Sequence, residues 1–284
     1  MVVDKEPGWT SHDAVARCRR IFGQRRVGHA GTLDPDATGV LLVGLGRATR
    51  LLRYLTALEK TYTGEVVLGT ATSTLDASGE VTGTFDMAGV TLEQAREAAL
   101  ALTGPIEQVP PMVSAVKVDG QRLHVLARQG IEVERAARPV TVHRFEVSAT
   151  AEPGVLAVEV ACSSGTYVRV LAADLGEALG GGAHLRNLRR TAIGSFTVAE
   201  ARPLAELTPE AVLTPAQAMR DLDRVVVDDE VARLVGRGLP LDRVSIGASG
   251  DGPWAMVDDR GRLLAVYEPT GTDRVRPSVV LAAH

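Results

Sequence analysis

The chain has 284 residues, 45% of them hydrophobic and 23% charged, and a formal net charge of −4. This supports a sizeable core in one large domain or a large and a small one; it argues against a generic nucleic-acid coat but not against a local basic face. No apolar run approaches the length of a membrane span, no basic-then-apolar leader opens the chain, and two distant cysteines, Cys18 and Cys162, cannot make a cysteine-rich zinc site. Two buried thiols in a reducing cytoplasm are the expectation.

In chain order, the first predicted helix runs from Asp13 to Phe22. Thr10 and Asp13 are spaced as a capping box, and Gly23 suits the stop. Val40 to Val43 reads as a buried strand. Gly46 then leads into a helix from Arg47 to about Leu58, with Leu51, Leu52 and Leu55 on one side. TYTGEVVLG is strand-like. Thr91 to Leu102 is the clearest helix, with Thr91 as cap, Gln94 completing a capping box and Gly104 past the end. After a proline-rich loop, VTVHRFEVSA and LAVEVACSS read as two strands. A helix starts near Tyr167 and breaks at Gly180 to Gly182. Leu204 to Met219 is a connector with two Thr-Pro pairs. Beyond it, GPWAMVDDRGRLLAVYEP has the pattern of a hairpin turning at Asp259 to Gly261. The irregular interleaving predicts an α+β fold around a mixed or antiparallel central sheet. The expected division is a large domain at 1–218 and a small β-rich domain at 219–284.

Arginines gather in three places: Arg17, Arg19, Arg20, Arg25 and Arg26; Arg47, Arg50 and Arg53; Arg186, Arg189 and Arg190. Together they are expected to form a surface that tracks phosphates despite the net negative charge.

The stretch GHAGTLDPDATGVLLVGLG, Gly28 to Gly46, sets Asp34 and Asp36 in a glycine-rich loop. Asp34, Asp36, Thr38 and Gly39 have the early spacing of a calcium loop, but Leu45 stands where the bidentate glutamate belongs. Asp34-x-Asp36-x-Thr38 also matches the DxDxT signature of magnesium-dependent haloacid-dehalogenase-like phosphatases. Those enzymes place the motif after an apolar strand, and RRVGHAGTL does not read as one.

The same stretch resembles the central motif of the bacterial tRNA pseudouridine-55 synthase family, through Gly28, His29, Gly31, Leu33, Asp34, Pro35, Ala37 and Gly39. DKEPGWTS resembles that family's N-terminal motif, with Lys5 and Gly8 in place. EKTYTGEVVLGTATSTLDASGE, PPMVSAVKVDGQRLHVLARQG and CSSGTYVRVLAADLGEALGGGAHLRNLRR are also similar, so the likeness covers roughly residues 1–200. Glu6 and Pro7 shift the motif's proline by one position, which bears on the loop path around Lys5. His124 stands where a tyrosine is expected, which bears on a packing or RNA contact. The C-terminal segment matches only weakly.

The resemblance implies a pseudouridine-synthase fold and a small PUA-like RNA-binding domain at the C-terminus. It implies a cytoplasmic enzyme that flips uridine 55 out of the tRNA T-loop and isomerises it. The N1–C1′ bond breaks, the base turns, and C5 joins C1′. No redox step or group transfer is involved, so no cofactor and no metal are expected. No protein partner is implied, and a monomer is expected. Asp34 is the implied catalytic group. It could stabilise charge at C1′, attack it, or take a proton from the sugar. Tyr62 would stack on the flipped base. Tyr167 and Leu188 would line the pocket, and Arg169 would pair with Asp34 and keep it ionised. His29 would occupy space vacated by the flipped nucleotide. Lys5 would support the catalytic loop or touch phosphate. Asp36 has no implied role. A catalytically inactive tRNA-binding or tRNA-folding protein with the same surface is the alternative of a different class.

Overall fold

The computed structural model describes residues 1–281 apart from 115 and 119; the His124 side chain, singled out above, lies outside the described residues. In chain order, β1 (Val2–Lys5) leads to α1 (Ser11–Ile21), β2 (Val27–Ala30) and β3 (Thr38–Leu45). A 3₁₀ turn at Gly46–Leu51 enters α2 (Leu52–Ala57), so the expected single helix starts in a tighter form. β4 (Lys60–Leu68) follows, then the hairpin β5 (Thr70–Thr72) and β6 (Val81–Thr84), α3 (Leu92–Ala101) and β7 (Gly104–Gln108). The short β8 (Lys117–Val118), β9 (Gln121–Arg122) and α4 (Leu123–Arg128) come next. Then come β10 (Arg138–Ala149), β11 (Val155–Cys162), α5 (Val168–Ala178), β12 (Ala183–Ile193), β13 (Phe196–Thr197) and β14 (Arg202–Pro203). After α6 (Pro215–Ala218) the chain builds β15 (Asp223–Val226), α7 (Asp229–Gly236), β16 (Leu241–Asp242), β17 (Trp254–Val257), β18 (Leu263–Thr270) and β19 (Arg274–Val280).

Both capping boxes read from the sequence are present. Thr10 and Asp13 cap α1, and Thr91 and Gln94 cap α3, each pair exchanging side-chain and backbone hydrogen bonds. Such a cap is worth about 1 kcal/mol. The main sheet has the order β14-β1-β3-β12-β4-β11-β10-β7, with β2 on β3 and β13 on β12. It is mixed, as expected: β1 with β14 and β3 with β12 run parallel, the rest antiparallel. α3 and α5 lay Ala95, Ala99, Leu171 and Leu175 against Val66, Val158 and Val160 on the strands. Each fully buried Leu or Val contributes roughly 1.5–3 kcal/mol.

β12 was not legible as a strand, because LRNLRR carries three arginines. It is nevertheless the strand between β3 and β4. The arginines are absorbed internally. Arg186 pairs with Glu65 at 2.7 Å and with Glu152; Arg189 pairs with Asp4 at 2.7 Å; Arg190 is buried. These internal pairings compete with the phosphate contacts expected of this cluster. β2 is a correction, since a short strand does precede the glycine-rich loop. It is half-buried and forms the antiparallel partner of β3.

The second sheet, β15-β17-β18-β19-β16, contains the expected hairpin as β17 and β18. Its Ala255, Val257, Leu263 and Val266 share one apolar cluster with Leu42, Leu51, Tyr54 and Phe196. Arg53 pairs with Glu268, and Arg50 donates to the Val280 carbonyl at 2.9 Å, so both arginines join this sheet to the region around α2.

Candidate active site

The loop after β2 is held at every turn. Leu33 and Ala37 are buried on either side of Asp34, and Ala37 N–H closes back on Asp34 O at 3.2 Å. Pro35 restricts Asp34 to extended geometry. Ser11, at the start of α1, donates its hydroxyl to Leu33 O at 3.2 Å and accepts from Leu33 N–H at 2.9 Å. Gly8 N–H donates to Pro35 O at 3.0 Å.

Lys5 is fully buried. Its ammonium donates to Glu6 O at 3.0 Å, Trp9 O at 2.7 Å and Pro35 O at 2.8 Å. Three protons meet three carbonyls, so none is left for a phosphate. Burial lowers its pKa to about 8 against the opposing pull of Asp36 and Asp34. The shifted proline leaves this anchoring in place.

Gly39, Arg190 and Tyr62 lie in register across β3, β12 and β4. Gly39 has φ +99°, and a Cβ there would sit 2.2 Å from the Arg190 carbonyl oxygen, so only glycine lets the two strands approach. The buried Arg190 guanidinium donates to Val40 O at 2.7 Å and Gly31 O at 3.0 Å, fixing both ends of the loop. Tyr62 is buried beside it, and burial pushes its phenol above the ordinary value, so it stays protonated.

Arg169 comes from the first turn of α5 and is buried, whereas the Asp34 side chain is 40% exposed. Nε lies 3.0 Å from Asp34 Oδ2 and Nη2 3.3 Å from Oδ1. The same guanidinium donates to Thr74 O at 2.8 Å and Val113 O at 2.9 Å, and Nη1 is 3.5 Å from Asp76 Oδ2. Asp76 is itself held by the Thr74 and Ser78 hydroxyls, both at 2.6 Å. Leu75, between Thr74 and Asp76, has φ +63°, a strained conformation worth on the order of 1–3 kcal/mol that presents Thr74 O and Asp76 to Arg169. The pairing with Arg169 that the resemblance implied is present, and it favours the ionised carboxylate. Burial raises its pKa above the ordinary value, Asp76 adds to this, and Arg169 only partly offsets it.

A cavity of about 250 Å³ opens over these groups; Asp34, Tyr62, Tyr167, Arg169 and Leu188 all line it. Gln108 fixes the Tyr167 backbone from both sides, accepting from its N–H at 2.9 Å and donating to its carbonyl at 3.3 Å. Leu188 enters from a bulge in β12, where Asn187 takes φ +54°. Sequence reasoning missed Lys60, Arg190 and Asp76. Lys60 sits in the wall, donating to Thr56 O at 2.6 Å and Leu58 O at 2.5 Å, with its pKa lowered to about 8 by burial and by Arg190. It stands two residues before Tyr62, a spacing that puts both on one face of a strand.

His29 is not among the residues lining the cavity. Its ring lies edge-on to His12 at 5.5 Å, its Nδ1 is buried with no hydrogen-bond partner among the described residues, and burial together with His12 and Arg190 lowers its pKa to about 4. Asp36 is exposed. No cluster of three or more potential metal ligands occurs among the described residues.

Two family models match the chain: the N-terminal domain of the TruB family pseudouridylate synthases at residues 19–168, and the C-terminal domain of tRNA pseudouridylate synthase B at 169–232. A tRNA pseudouridine synthase B of Arthrobacter sp. (strain FB24) is 49% identical over 96% of this chain and 90% of its own length. One of Rhodococcus jostii (strain RHA1) is 48% identical over 95% of this chain and 90% of its own. Among solved structures, that of a Cbf5-Nop10-Gar1 complex superposes with a TM-score of 0.77 at 27% identity, covering 98% of this chain and 83% of that one.

Proposed function

The chain belongs to the TruB family of pseudouridylate synthases, and on that footing we propose that it isomerises uridine 55 of the tRNA T-loop to pseudouridine. It is an isomerase acting on tRNA. Neither a magnesium-dependent phosphatase nor an inactive tRNA-binding protein finds support in its relatives. The observation that carries the mechanistic reading is the ion pair of Asp34 with a buried arginine in the lining of an open cavity.

Asp34 is the catalytic group, acting at C1′ or on the sugar. Arg169 orients it and, through Asp76 and Thr74, ties it to the strained Leu75 turn. Tyr62 offers its ring face to the flipped base, and Tyr167 and Leu188 form the walls. Lys5 and Arg190 hold the loop that carries Asp34. His29, next to His12 and outside the cavity lining, fills the space vacated by the flipped nucleotide. Residues 219–284 act as a PUA-like unit that adds RNA contact to the catalytic domain at 1–218, and the enzyme works in the cytoplasm.

Phosphate contacts fall to the arginines left over after internal pairing. Arg17, Arg20, Arg25, Arg26 and Arg47 are exposed and pair with no acid among the described residues. They share one corner, where the end of α1 meets the hairpin of β2 and β3, and Gly46 N–H donates to Arg26 O at 2.7 Å. The direct test is to incubate the protein with unmodified tRNA transcript and map pseudouridine by position. Pseudouridine at position 55 alone is expected; its absence would remove the reading.

A further inference from the structure

Flipping a nucleotide out of an RNA loop leaves its neighbours without a stacking partner. The edge of the catalytic loop carries an aromatic side chain with no role so far. Trp9 is 36% exposed, whereas Trp254, the chain's other tryptophan, is fully buried. The Trp9 backbone is tied to the loop by a single ammonium group. Lys5 Nζ donates to Trp9 O at 2.7 Å and to Pro35 O at 2.8 Å, and Pro35 directly follows Asp34. The indole N–H has no protein partner among the described residues.

We propose that Trp9 stacks on an unpaired base of the RNA loop beside the target nucleotide, an inference that rests on the tRNA reading above. The surroundings select a base rather than a phosphate. Glu6, Asp13 and Asp36 are exposed on the same segments and repel phosphate oxygens. A base presents a neutral π face, which an indole accepts without a charged partner. Phosphates are accommodated at the arginine corner, the length of α1 away, about 16 Å at 1.5 Å per residue. One helix thus spans a base contact at its start and phosphate contacts at its end.

The test uses full-length protein carrying Asp34→Asn, so that the RNA stays unmodified, and an unmodified tRNA transcript. Binding is followed by anisotropy of labelled RNA and, separately, by tryptophan emission. Emission should fall on saturation when Trp9 is present and stay constant in Trp9→Phe, where only buried Trp254 emits. Trp9→Ala should weaken binding roughly 5- to 150-fold, and Trp9→Phe should recover most of that. RNA binding by anisotropy with unchanged emission, or wild-type affinity in Trp9→Ala, would overturn the stacking role and leave the tRNA reading intact. No binding by any of the proteins would overturn both.

Discussion

Arg169 grips both oxygens of Asp34, with Nε 3.0 Å from one and Nη2 3.3 Å from the other, and it does so from inside the fold. Opposing burial and Asp76 still leave the Asp34 pKa above the ordinary value. Arg169→Met should raise it further, since the partner that favours the charged form is gone. In the proposed role Asp34 acts as the ionised carboxylate, so activity should be lost as pH falls through its pKa. The acid limb of the single-turnover rate profile should therefore move to higher pH in Arg169→Met. An unmoved limb would show that Arg169 does not set the charge on Asp34.

Asp34→Asn should slow isomerisation by at least ~10³-fold, on the order of 4 kcal/mol of barrier, with RNA binding nearly intact. Asp36→Asn should be close to neutral, as exposed substitutions usually are. Excess EDTA should leave turnover of prefolded tRNA unchanged. Stability should move the other way. A carboxyl whose folded pKa is raised favours the fold when protonated, and that contribution is lost as pH rises through the folded pKa. Asp34→Asn should thus melt above wild type at pH 7, with the gap closing as the pH is lowered. Equal melting temperatures at both ends would contradict the raised pKa.

Lys5→Met removes the one group that joins Glu6, Trp9 and Pro35. The loop loses its position relative to Tyr62 and Arg169, and small displacements of reacting groups cost up to ~10²-fold in rate. The rate at saturating enzyme should drop accordingly, and RNA affinity should fall by no more than it does in Trp9→Ala, because the ammonium has no proton left for phosphate and bears on RNA only through the Trp9 backbone it holds. A loss confined to affinity would mean that Lys5 does not position the loop.

The arginine corner should make binding salt-dependent, with a log–log slope of roughly −0.7 to −0.9 per phosphate neutralised. Replacing Arg20, Arg25 and Arg26 together with glutamine should flatten the slope measurably. Arg189→Gln should leave it unchanged, because Arg189 is already paired with Asp4. The reverse pattern would place the phosphates over β12.

Much of the fold was legible because its signals are local. Two capping boxes, the alternation of β11 and the β17–β18 hairpin all depend on residues close in sequence, and Asp34 lies in one contiguous motif. What stayed hidden depends on distant partners. β12 looked like a charged surface because Glu65, Glu152 and Asp4, which neutralise Arg186 and Arg189, lie far away in the chain. Arg190 and Asp76 carry no local mark; only the sheet register and the turn at Leu75 bring them to the site. The upward shift of the Asp34 pKa was likewise invisible, since it arises from how deeply the loop is set.

The place of β12 in the sheet also bears on how the protein is made. β3 and β4 emerge from the ribosome one after the other, yet they cannot pair; the strand that joins them is translated long afterwards. Until it arrives, the β4 edge and the Thr38–Gly39 end of β3 lack their native partner, and an open strand edge is the kind of surface that draws stray strands and chaperones. Arg169 and Arg190 reach the Asp34 loop in that same late stretch, so the growing chain gains the geometry proposed for catalysis only as its central sheet closes. Contacts of such long sequence separation make for slow folding, and an incomplete chain would carry the reactive carboxylate without the means to aim it.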